Sequence, residues 1–163
     1  FAATILGYFW TRARAESWPP PGMPPLPGGL WISTAIILGS SVTIQWALGA
    51  VRAGRRASFR VALLTTSLLG LVFLVCQAVN WTQLLAGGSN MPKNLYSFLF
   101  YFLTGLHAAH VIGGLIPLGI ITGKAHRGAY TSADHAGVTY CAMYWHFLDV
   151  VWVILFLILV TTM

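Results

Sequence analysis

A chain of 163 residues that is 57% hydrophobic and only 7% charged is too apolar to fold as a water-soluble domain of that size, so it is read as an integral membrane protein. Its formal charge of +6 comes from nine Lys and Arg residues lying between apolar runs, with no clustered recognition surface, which argues against nucleic-acid binding. Cys76 and Cys141 both sit inside apolar runs without CxxC or CxxCH spacing, which argues against a disulfide framework and a covalent c-type haem and leaves them as small buried hydrophobes.

Phe1–Trp10, FAATILGYFW, is apolar but ten residues long, about half of the roughly 20 that a spanning helix needs. It is read as a partial helix, truncated where the given sequence begins, and no cleavable signal peptide is visible. Residues 11–30 hold six of the eight prolines, mostly in SWPPPGMPPLPGGL, and cannot be helical along their length. They predict an extended surface linker on the outer side, with a proline-rich docking ligand as the competing reading.

Residues 31–51 form a full span, with Thr34, Leu38, Ser41 and Gln45 on one stripe of small and polar side chains that suits close helix packing. Arg52, Arg55, Arg56 and Arg60 then make the most basic loop, placed to meet anionic lipid head groups at about 1 kcal/mol each. The next span covers 61–85 and carries Gln77 and Asn80 on one face. A short polar loop, GGSNMPKN, follows.

The fourth span, 95–122, contains Gly113, Gly114 and Pro117, which should let its later part bend. Gly105, Ala109 and Gly113 form a small-residue stripe expected to pack against a neighbouring helix, while His107, His110 and Gly114 lie on another face. Residues 123–135 form the last loop, and 136–162 the final span. The whole is an all-α, polytopic transmembrane bundle of five helices in a single domain, 1–163. Six Lys and Arg lie near the loops at 52–60 and 123–135 against three on the other side, so those two loops are expected in the cytoplasm and the C-terminus outside.

The final span contains Tyr140–Val160, YCAMYWHFLDVVWVILFLILV, an apolar run with a histidine and an aspartate near its middle. A carboxylate at mid-membrane costs about 2.5–3.5 kcal/mol on insertion scales, so Asp149 and His146, three residues apart, are expected to point into protein. With the last two spans antiparallel, His107, His110, His146 and Asp149 all lie within roughly 5 Å of the midplane at about 1.5 Å per residue. They could meet there. Inter-helical hydrogen bonding that fixes register is the reading preferred on the residues alone. A haem or metal site and a proton path through Asp149 are the alternatives.

The stretches YWHFLDVVW at Tyr144–Trp152 and FYFLTGLHAAHVIGG at Phe100–Gly114 resemble the signature of subunit III of the haem-copper respiratory oxidases, the cytochrome c oxidase subunit 3 family. The WPPPG stretch before an apolar helix is similar to the connection between the third and fourth helices of bacterial members. The resemblance covers nearly the whole chain and corresponds to the last five of seven helices in the longest members.

That resemblance implies an accessory, non-redox subunit of a bacterial complex in the cytoplasmic membrane that reduces oxygen and pumps protons. Haem and copper then belong to partner subunits, with none in this chain. The subunit packs on the catalytic subunit I and other oxidase subunits, supports proton uptake, protects the centre during turnover and binds phospholipids. Under it, the four polar residues read as structural. Two buried acids of the family pattern are replaced, by Asn80 in QAVNW and by Thr139 ahead of YWHF, so roles of those acids do not carry over. A partner of a quinol oxidase or nitric oxide reductase, and a free-standing haem-binding membrane cytochrome, are the other readings.

Overall fold

The computed structural model describes residues 1–15, 18, 26–86 and 95–162. Within them the chain forms five helices: α1 (Ala2–Arg14), α2 (Gly29–Arg52), α3 (Arg56–Ala86), α4 (Leu95–His126) and α5 (Ala136–Thr162). Four of these, α2 to α5, are long and apolar enough to cross a membrane. Most of the proline-rich stretch and all of GGSNMPKN, with Lys93, lie outside the described residues, as does the proposed docking-ligand reading.

The helices overrun the boundaries read from the apolar runs. α1 continues through Thr11 to Arg14, because TRAR contains no helix breaker and Arg is a good helix former. The basic run expected as a loop is mostly helix: Arg52 ends α2, and Arg56 and Arg60 belong to the start of α3. α4 extends beyond Thr122 to His126. The apolar run marks the part of a helix that meets hydrocarbon, whereas the helix itself persists into the interface until a residue forces it to stop. α4 also remains helical through Pro117, whose missing N–H falls opposite the exposed Gly113 carbonyl.

Two glycines supply those stops. Gly54 (φ 68°) and Gly128 (φ 75°) adopt the left-handed conformation that other residues avoid. At the first, Gly54 N–H donates to Val51 O at 3.0 Å and Arg55 N–H to Ala50 O at 2.9 Å. At the second, Gly128 N–H donates to Ala125 O at 3.1 Å and Ala129 N–H to Lys124 O at 3.1 Å. Both are Schellman closures, which satisfy the last carbonyls of α2 and α4. These two ends sit together: Arg60 Nε donates to Ala125 O at 3.1 Å, and Phe59 meets Tyr130 edge-on at 6.1 Å. Burial, then Cys141 and Asp134, raises the Tyr130 phenol above its ordinary value, so it serves here as a neutral aromatic.

α2 packs on α3 and α5, and α4 also packs on α3 and α5, so the four spans close into a ring. α1 lies outside that ring, seated through fully buried Tyr8 on Leu99 and Leu103 of α4 and Val151 and Leu155 of α5. The core runs along α5, where Val138, Ala142, Trp145, Leu148, Trp152, Leu155 and Leu159 are each at most 1% exposed. Steps of three and four residues keep that stripe on one side of the helix.

Candidate functional site

Trp145 and Trp152 organise the interior. The Trp145 indole N–H donates to Ser40 Oγ of α2 at 2.9 Å, and the Ser40 hydroxyl donates onward to Ile37 O at 2.6 Å. The far edge of the ring fits between two glycines. A Cβ at Gly70 of α3 would lie 2.9 Å from the ring, and one at Gly114 of α4 would lie 3.3 Å from it. One side chain from α5 thus touches all three other spans, and only glycine leaves room for it. Trp152 repeats the arrangement two turns on, donating to Thr34 Oγ1 at 3.0 Å, while its ring lies 4.9 Å from both Phe73 and His107. An indole buried in a bundle needs an acceptor, and the small hydroxyls of α2 provide one at each level.

His146 and Asp149 lie at the α2–α5 seam. His146 Nδ1 is 2.7 Å from Ser41 Oγ, and Nε2 is 3.2 Å from Gln45 Oε1. Asp149 is 4% exposed, and neither of its oxygens has a hydrogen-bond partner within the chain. It lines a groove of about 270 Å³ on the outer side of the α2–α5 seam together with Ser41, His146 and apolar side chains of both helices.

His107 and His110 lie elsewhere. His107 is fully buried among Phe73 (5.8 Å), Trp152 (4.9 Å) and Phe1 (6.1 Å), and neither ring nitrogen has a partner within the chain. His110 Nδ1 donates to Leu106 O on its own helix at 2.7 Å, and its ring meets Phe1 at 4.8 Å. The four residues expected to meet are therefore split between two seams. Depth along antiparallel helices sets height alone. A neighbour in sequence turns about 100° round the helix, and that turn puts Trp145 inside and His146 at the edge. Among the described residues, no three His, Cys, Asp or Glu side chains gather closely enough to hold a metal ion.

The small-residue stripe also lies differently. A Cβ at Gly105 would meet only Trp81, at 3.9 Å, and one at Gly113 would meet nothing within 4 Å, while Ala109 is exposed. Ala109 and Gly113 therefore look out of this chain, Gly105 is half-buried beside Trp81 of α3, and α4 packs internally through the face that carries His107, Ala108, Val111, Gly114 and Leu118. That face holds larger side chains and buries more apolar area, which decides the orientation. Of the arginines, Arg52, Arg55 and Arg56 are exposed at the end of the bundle; Arg60 is half-buried and bound to the Ala125 carbonyl. The stripe read on α2 contains Thr34, Ser41 and Gln45 but not Ser40, and the sequence pattern alone does not single out Trp145 or Trp152 as their partners. An indole spaced against a hydroxyl on another apolar run was the signal that could have found them.

The family model for cytochrome c oxidase subunit III matches residues 7–161. A probable cytochrome c oxidase subunit 3 from Mycobacterium tuberculosis is 33% identical over 163 residues, covering 98% of this chain and 79% of that protein. The cytochrome c oxidase subunit 3 of Thermostichus vulcanus is 34% identical over 160 residues, covering 98% of this chain and 78% of its own. That of Synechocystis is 32% identical over 163 residues, covering 97% and 67%.

Proposed function

This chain belongs to the cytochrome c oxidase subunit III family, and from that premise we propose that it is an accessory subunit without redox chemistry of its own. In this reading it packs on the catalytic subunit of a bacterial haem-copper oxidase, whose haem and copper reside in the partner subunits. It supports proton uptake and keeps the catalytic centre active through repeated turnover. The observation that carries the reading is the use made of the interior. Two buried hydroxyls of α2, Ser40 and Thr34, hold Trp145 and Trp152. The rings that pack on them make the middle of the bundle a core of interlocked aromatics, suited to holding helices in register.

The proposal extends to orientation. Arg52, Arg55, Arg56, Arg60, Lys124 and Arg127 gather at the end where α2 meets α3 and α4 meets α5, and the positive-inside rule assigns that end to the cytoplasm. The C-terminus then faces outward from the bacterial cytoplasmic membrane. Arg52, Arg55 and Arg56 are exposed to meet phospholipid head groups there, and outward-facing Ala109 and Gly113 offer a close approach to a helix of a partner subunit.

The test is to purify the oxidase complex with and without this chain. Oxygen reduction in the first turnovers should be intact without it, with activity falling over successive turnovers, and haem should stay with the partner subunits. Loss of the first turnover while the metal centres remain spectroscopically normal would refute the accessory role, as would stoichiometric haem on the isolated chain.

A further inference from the structure

We propose that the α2–α5 groove is where a helix of a partner oxidase subunit seats a side chain bearing an N–H or O–H against Asp149. The inference deepens the accessory reading and rests on it: that reading supplies the partner, and the seam says where one of its helices lies.

Asp149 is 4% exposed, and among the described residues neither carboxyl oxygen has a hydrogen-bond partner. Protonation does not change the demand. Ionised or neutral, a carboxyl keeps at least one oxygen that only accepts, and burying that oxygen without a donor is costly. The other polar groups of the seam have one another: one ring nitrogen of His146 lies 2.7 Å from Ser41 Oγ and the other 3.2 Å from Gln45 Oε1. Asp149 is the group still in need of a partner.

Depth decides what kind of partner supplies the donor. Asp149 stands at the midpoint of α5 (Ala136–Thr162), which at about 1.5 Å per residue puts it about 20 Å from either end. The hydrocarbon core of a bilayer is about 30 Å thick, so the carboxyl lies near the midplane, where phospholipid tails carry no N–H or O–H. Head groups stay at the interface. A polypeptide side chain is what brings a donor to that depth, and hydrogen bonds between polar side chains are one of the forces that join helices in hydrocarbon.

The seam has the room and the surface for it. The groove holds about 270 Å³ beside Leu38 and Ser41 of α2 and Asp149, Val150 and Ile154 of α5, and an apolar cavity of about 150 Å³ already accepts a benzene ring. Leu38, Val150 and Ile154 are 43–58% exposed and present hydrocarbon for a neighbouring helix to lie on. α1 is not that helix. Tyr8 seats it on Val151 and Leu155, turned about 100° round α5 from Val150 and Ile154. The terminal torsion of an aspartate is soft, so a small turn brings a carboxyl oxygen into the groove.

A photoreactive residue at Ile154, in the purified oxidase complex with Asp149 intact, tests the placement. It should form an adduct with a membrane-spanning segment of another oxidase subunit, within a helical turn of a residue bearing an N–H or O–H. In Asp149→Leu the acceptor is gone, and the dissociation constant of the subunit from the complex should rise on the order of tenfold. Asp149→Asn keeps a carbonyl acceptor and should be retained like the unaltered chain. In a Cys76→Ser background, continued protection of buried Cys141 from a thiol label shows that each variant is folded; should Asp149→Leu fail that check, the Ile154 adduct decides. Adducts with lipid alone, with a second copy of this chain or with no polypeptide would overturn the proposal, as would normal retention of folded Asp149→Leu. Failure of the chain to co-purify with an oxidase at all would remove the accessory reading, and this placement with it.

Discussion

Replacing Gly70, Gly113 and Gly114 by Ala, one at a time, separates packing from helix propensity, because the three share a helical backbone and the same propensity gain of about 1 kcal/mol. At Gly113 a Cβ meets nothing within 4 Å; at Gly114 it lies 3.1–3.3 Å from Tyr144, Leu148 and Trp145; at Gly70 it lies 2.9 Å from Trp145 and 3.1 Å from Leu115. Carbon atoms pack comfortably at about 3.5–4.0 Å, so Gly70→Ala requires the indole to retreat by more than about half an ångström. Trp145 has nowhere to go. Its N–H is tied to Ser40, and its ring also borders Gly114.

Overpacking of this kind costs about 1–3 kcal/mol, so Gly70→Ala should fall below Gly113→Ala by about 2 kcal/mol, with Gly114→Ala between them. At about 2–4 °C per kcal/mol for a chain of this length, the separation is roughly 4–8 °C. Buried Cys141 reports the transition if Cys76 is first changed to Ser: the temperature at which Cys141 becomes reactive to a thiol label is read on the subunit band of the intact complex. A midpoint for Gly70→Ala equal to or above that of Gly113→Ala would refute the packing argument. Loss of the subunit from the complex in Gly113→Ala, with Cys141 still protected, would instead put outward-facing Gly113 against a partner.

Thr34→Val should lower the same midpoint by an amount corresponding to about 1–3 kcal/mol, because it strands the buried Trp152 N–H. Thr34→Val combined with Trp152→Phe should cost less than the sum of the two single changes, and strict additivity would mean that the bond contributes nothing. Replacing Arg52, Arg55 and Arg56 by Gln should reduce the anionic phospholipid retained with the subunit in native mass spectrometry, at about 1 kcal/mol for each charge. Arg60→Gln should act on the thermal midpoint, since its Nε is held by the Ala125 carbonyl. Lipid retention unchanged by the triple replacement would count against the head-group assignment.

Helix number, the membrane environment and the family could all be read from residue order, because each depends on properties that accumulate along the chain. The apolar runs are long enough to cross a bilayer. Basic residues cluster at alternate loops. YWHFLDVVW and TGLHAAH persist as words wherever the helices turn. The placement of side chains around each helix could not be read in the same way. His107, His110, His146 and Asp149 share a depth, but two of them face Phe1 or an aromatic box and two face α2. Gly113 and Gly114 are adjacent in sequence, yet one opens outward and the other receives Trp145. Rotation about a helix axis is settled by the fit of neighbouring helices, and here the two buried tryptophans set it. Each needs a hydroxyl on α2 for its N–H and room among α3 and α4 for its ring, and few rotations of α5 meet both demands at once.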